Sequence, residues 1–142
     1  MRWFGLLVCF LLTACGGPTV TVGSKPTVQD QILGEIMAAM VEEAGIPVTT
    51  RHGLGEAPVM LEALRVGAVD VYPEYSGTAL GLLGLPGGGD AETALDRARA
   101  AFEARGYRLL APFGFESRFV AVTRRDFTVQ TGAADLRELA AA

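Results

Sequence analysis

A chain of 142 residues, half of them hydrophobic, suits one domain or one lobe of a larger protein, with apolar content enough for a packed core. Sixteen acidic against twelve basic residues give a formal charge of −4, which excludes the basic field that nucleic-acid binding requires. The lone histidine, His52, excludes a histidine-rich metal site and is expected on a surface loop.

Met1-Arg2 is a short positive start, and the apolar run Trp3–Leu12 is too short to serve comfortably as a mature transmembrane helix. Leu12-Thr13-Ala14-Cys15 then has the form of a lipobox. Residues 1–14 are therefore expected to be a lipoprotein signal peptide, cut before Cys15, whose thiol would carry a diacylglycerol. Residues 15–18 would be the lipid-anchored tether. The alternatives are an ordinary signal peptide, or a buried helix with two incidental cysteines. With lipidation, Cys9 and Trp3 leave with the signal and no disulfide is left to form. Loss of Arg2 takes the formal charge from −4 to −5. Any aromatic site must then be built from Tyr and Phe, at a membrane surface outside the cytoplasm.

From Thr19 the pattern alternates between strand and helix. Residues 19–24 (TVTVGS) carry the β-branched alternation of a strand. Thr27 and Asp30 match a capping box, and Ile32, Leu33, Ile36, Met37, Met40 and Val41 follow at helical spacing up to the stop at Gly45. Val48–Arg51 reads as a strand, Pro58–Val66 as a helix and Ala68–Val71 as a third strand. Thr78–Leu85 reads as a short apolar helix, and Asp90–Arg105 as an amphipathic one with Leu95, Ala98, Ala101 and Phe102 inward. Arg108–Pro112 and Phe119–Val122 are strand candidates, and Thr131–Ala142 has the look of another helix beginning. Such alternation implies an α/β domain with a parallel or mixed sheet covered on both faces.

No catalytic constellation is present. The sequence has neither a phosphate-cradling glycine loop followed by lysine nor a nucleophile elbow, and Ser76 has no histidine placed to activate it. What stands out is residues 69–80, VDVYPEYSGTAL, where a strand-like run turns into a helix-like one through Tyr72, Pro73, Glu74 and Tyr75. Ligands of open α/β sheets sit at the carboxyl ends of strands. A tyrosine there offers a π-face to a cation, above all to a quaternary ammonium group with no N–H to donate. Core or rim packing is the alternative role for Tyr72 and Tyr75.

Three stretches carry a resemblance: GSKPTVQDQILGE (23–35), GLGEAPVMLEALRVGAVDVYPEYSGTAL (53–80) and APFGFESRFVAV (111–122). They resemble the glycine betaine/carnitine/choline-binding proteins of ABC importers. The resemblance implies a three-layer α/β lobe of a type II periplasmic-binding protein. Residues 19–130 would form the first lobe, and 131–142 would begin a second lobe that is largely missing. It further implies that Tyr75 lines the ligand cage and that Thr78 supplies a polar contact. Phe119 stands where the family has a second cage tyrosine, keeping the π-face and losing the hydroxyl, while Gly-Phe-Glu-Ser-Arg replaces a run with polar contacts. Asp30 replaces a ligand-facing glutamine; it is either a helix cap or an anion that favours choline over betaine. Tyr72 and Pro73 are expected to shape the corner, and Glu74 to be a hinge-side or surface charge.

The function so implied is an extracytoplasmic, lipid-anchored substrate-binding protein that is not an enzyme and needs no cofactor or metal. Its ligand would be glycine betaine, choline or carnitine, and its partners an ABC permease and, through Cys15, the membrane. A single-lobe accessory or sensory lipoprotein, or a non-functional fragment of a split gene, is the alternative.

Overall fold

The computed structural model describes residues 17–117 and 121–141. The chain divides into two compact units, with the boundary between Leu109 and Leu110.

The first unit begins with β1 (Val20–Gly23) and α1 (Val28–Glu43), followed by β2 (Val48–Arg51) parallel to β1 in the register Val20–Val48 to Gly23–Arg51. The connecting helix starts where the sequence places it. Thr27 is the N-cap, and its hydroxyl oxygen accepts the backbone N–H of Asp30 at 3.1 Å. Gly45, at φ 79°, ends the helix in a conformation that suits glycine. One face of α1, with Leu33 and Ala38, is buried, while Val28, Ile32, Ile36 and Met40 are exposed.

Then follow α2 (Ala57–Arg65), α3 (Ser76–Leu82) and α4 (Ala91–Glu103). The expected third strand, Ala68–Val71, shrinks to a parallel bridge between Val22 and Val71. Asp70 is the reason. Its carboxylate accepts the Thr21 N–H at 2.7 Å, while the Asp70 N–H donates to the Thr21 carbonyl at 2.8 Å. A side chain thus fills a position that a strand backbone would otherwise take.

Two apolar nuclei hold this unit. Met60 and Val69, both essentially inaccessible, pack against Gly23 of β1, and Val22 is as deeply buried. Gly23 permits that approach, since a Cβ there would lie 2.7 Å from Met60 Cε and 2.8 Å from Val69 Cγ1. The second nucleus joins α3 to α4 through Ala79, Leu80, Ala98 and Phe102, with Tyr107 and Leu109 packed against it. Asp90 caps α4 by accepting the Thr93 N–H at 2.8 Å. Of the four residues expected to face inward on α4, Ala98 and Phe102 are buried, and Leu95 and Ala101 are partly covered.

In the second unit, the strand expected over Arg108–Pro112, which straddles the boundary, is not formed, and its residues are largely exposed. An extended run needs a partner ladder, and no strand pairs with it among the described residues. Ala121 and Val122 are likewise outside any strand, and Phe119 lies outside the described residues. The unit contains α5 (Arg125–Thr131), which periodicity did not suggest, and α6 (Leu136–Ala141) within the expected helix start. Gly132, at φ 69°, closes α5. Among the described residues no helix is long and apolar enough to cross a membrane.

Candidate functional site

The candidate site lies just beyond the carboxyl ends of β1 and of the Val71 bridge. Ser24, fully buried, is pinned first. Its N–H donates to the Arg51 carbonyl at 3.0 Å, its carbonyl accepts the Leu54 N–H at 3.2 Å, and its hydroxyl pairs with His52 Nδ1 at 2.9 Å. The next residue, Lys25, is therefore held inward and is only 5% exposed. Its ammonium donates to Glu74 Oε1 at 2.6 Å, lies 3.7 Å from Asp30 Oδ1, and sits 5.0 Å from the centroid of the Tyr75 ring. Glu74 Oε1 also accepts the Tyr75 N–H at 2.9 Å, which locks the corner to the ion pair.

The cluster is not satisfied internally. Asp30 Oδ2 accepts the Thr27 hydroxyl at 2.6 Å, but Asp30 Oδ1 has no hydrogen-bond partner. Glu74 Oε2 and the Tyr72 hydroxyl are likewise buried without one. Burial is the main cause that raises the Tyr75 pKa above the usual phenol value, with the charges of Asp30 and then Glu74 adding to it. For Tyr72, burial and then the Glu74 charge raise the pKa strongly. Two carboxylates against one ammonium give formal charges summing to −1 beside a tyrosine face. Chemically, this is a place for a cation and for donors that can reach the unpaired oxygens.

The structure brings Asp30 and Tyr75 together, through Lys25. Thr78 is exposed in the first turn of α3, three residues past Tyr75. Phe119 and Cys15, with the whole of residues 1–16, lie outside the described residues. Asp30 serves as partner of the cap residue and as a member of the cluster at once. Glu74 departs from the surface half of its expectation. Its side chain is 11% exposed and belongs to a buried ion pair rather than to the surface. The reason is Lys25, which draws the carboxylate inward. Lys25 itself was not foreseen. The available signal was positional, a lysine one residue beyond the end of a buried strand, where α/β ligands sit.

His52 does lie in a loop, after β2, but its ring is partly buried and tied at both ends, to the Ser24 hydroxyl and to Glu35. It thereby fastens α1 to the loop that carries the site. Gly34 makes room for it, since a Cβ there would already touch the ring at 3.4 Å. Among the described residues no group of three or more His, Cys, Asp or Glu side chains is placed to hold a metal ion.

The substrate binding domain of ABC-type glycine betaine transport systems matches residues 18–142. The chain belongs to this family. The glycine betaine-binding protein YehZ of Escherichia coli K12 is 38% identical over 80 residues, which make up 53% of this chain and 26% of that protein. The ergothioneine transport permease/ergothioneine binding protein EgtU of Helicobacter pylori G27 is 38% identical over 61 residues, 42% of this chain and 11% of that protein. The solved structure of apo YehZ superposes with a TM-score of 0.58 at 26% identity, over 62% of this chain and 32% of the other. The fold is that of a type II periplasmic-binding lobe, and the matched region spans about a quarter to a third of the YehZ chain.

Proposed function

We propose that this chain is the extracytoplasmic, substrate-binding component of an ABC importer for quaternary ammonium compatible solutes such as glycine betaine, choline or carnitine. The observation that carries the reading is a cation already seated 5.0 Å from the Tyr75 ring, at the end of the strands in a member of this family. The protein's own ammonium over this ring supports a ring that takes positive charge, and the ring's other face would be the seat for the ligand. Thr78, one turn along α3, would supply a polar contact, and Asp30 a negative charge behind the ring. Phe119 would add a second aromatic face from the later segment. Residues 19–130 would make up the first lobe, with 131–142 leading into a second. An acylated Cys15, following a signal peptide over residues 1–14, would hold the domain at the membrane beside its permease. Capture and delivery would be the whole task, with lobe closure around the ligand as the state the permease reads.

Affinity follows from the number of walls. Micromolar binding needs about 8 kcal/mol. Two desolvated cation–π contacts offer roughly 4 kcal/mol before the costs of association. The chain is therefore expected to bind these solutes at about millimolar strength or more weakly. The test is a heteronuclear NMR titration of the chain with tetramethylammonium, choline and glycine betaine. Saturable shifts should centre on residues 25, 30 and 74–78, and Tyr75→Leu should weaken binding about tenfold. Unchanged affinity in Tyr75→Leu, or no saturable shift at those residues, would overturn the reading.

A further inference from the structure

A zwitterion such as glycine betaine presents a quaternary ammonium and a carboxylate; choline presents the ammonium and a hydroxyl. The two are separated by what the protein can offer a carboxylate. Lys25 is the cation that stands over the Tyr75 ring, and it is already engaged. Glu74 Oε1 accepts its hydrogen bond at 2.6 Å, and Asp30 Oδ1 lies 3.7 Å from it. Its side chain is 6% exposed, so it is not free to turn towards a ligand anion. Asp30 is 3% exposed, and its Oδ1 faces this cluster without a hydrogen bond. Glu74 Oε2 is a second buried acceptor without a partner. Among the described residues of this cluster the balance is one negative charge in excess, with acceptors to spare and the one cation already engaged.

We infer that the Lys25–Asp30–Glu74 cluster makes this site select net-cationic quaternary ammonium ligands that carry no carboxylate, with choline preferred over glycine betaine. The inference rests on the quaternary-ammonium reading of Tyr75 above and assigns its selectivity to Asp30 and Glu74. A net positive ligand at Tyr75 is attracted by the excess charge through the partly buried corner. In a zwitterion the same attraction to the ammonium is largely cancelled by repulsion of the carboxylate. At the separations of adjacent side chains and an intermediate effective dielectric, this difference is worth about fivefold in affinity or more.

The experiment compares dissociation constants for choline and glycine betaine by NMR titration of the 142-residue chain and of two charge-removing variants, Asp30→Asn and Glu74→Gln. Each variant keeps the shape of its side chain and brings the formal charge of the cluster to zero. The expected result is a preference for choline of about fivefold or more in the parent chain. It should narrow towards unity in whichever variant keeps a dispersed, folded spectrum. If betaine binds as tightly as choline, or the preference persists in a folded variant, the selectivity is not set here and the inference fails alone. If neither solute binds, the quaternary-ammonium reading falls and the inference with it.

Discussion

Replacing Lys25 by methionine tests whether the buried ion pair organises the corner. The substitution keeps the aliphatic stem and removes the ammonium. Two ion-pair contacts are then lost, one to Glu74 at 2.6 Å and one to Asp30 at 3.7 Å, together with the ammonium over the Tyr75 ring. At an effective dielectric of about 20, these distances correspond to roughly 6 and roughly 4 kcal/mol of gross attraction. The Glu74 contact therefore dominates, and it alone has hydrogen-bond length. The net figure is smaller, because folding removes all three groups from water. Breaking a buried pair costs about 3–5 kcal/mol, since the remaining charge is left uncompensated. Here two carboxylates would be left, 4% and 11% exposed. In urea unfolding followed by circular dichroism, with a slope of about 1.5 kcal/mol per molar, the midpoint should fall by about 2 M or more. The double variant Lys25→Met/Glu74→Gln should recover part of the loss, with a coupling of about 2 kcal/mol. A Lys25→Met chain within about 1 kcal/mol of the parent, or strictly additive substitutions, would refute the reasoning.

Two further outcomes follow from packing and from titration. Gly23→Ala places a methyl against Met60 Cε and the stiff Val69 side chain. It should destabilise the chain by about 1–3 kcal/mol in the same unfolding assay. Tyr72→Phe should change stability at neutral pH by less than about 1 kcal/mol, because the hydroxyl it removes is buried without a hydrogen bond. Burial, and then the Glu74 charge, raise the Tyr72 pKa in the folded chain. Above about pH 10 the unfolded chain releases the phenolic proton first, so stability is full below that pH and declines as pH rises beyond it. Between about pH 10 and 11 the parent should lose up to about 1 kcal/mol more than Tyr72→Phe. Parallel alkaline curves for the two proteins would contradict the placement of this ring.

Features encoded by neighbouring residues were legible in the sequence. The Thr27 cap, the stop at Gly45 and the strand Val48–Arg51 all appear where side-chain chemistry and periodicity place them. Failures occurred where distant residues decide. The segment Ala68–Val71 has strand composition, but the Asp70 carboxylate occupies the Thr21 N–H. Arg108–Pro112 has strand composition too, without a ladder to join. The site divides along the same line. Tyr75 could be singled out because aromatic chemistry at a strand end is visible locally. The burial of Glu74 could not, because its partner Lys25 stands 49 residues earlier in the chain. The buried ion pair is a product of the chain's return beside β1, which sets the Val71 bridge next to the end of that strand.

The ammonium of Lys25 over Tyr75 has a consequence for how the ring behaves towards a ligand. Tethered to Glu74, this cation occupies one face of the ring permanently, so a visiting cation would complete a sandwich rather than fill an empty seat. The two positive charges would draw on the same quadrupole from opposite sides, and each would polarise the ring against the other. An arrangement of that kind would hold a guest loosely, which would suit the capture-and-delivery role proposed above.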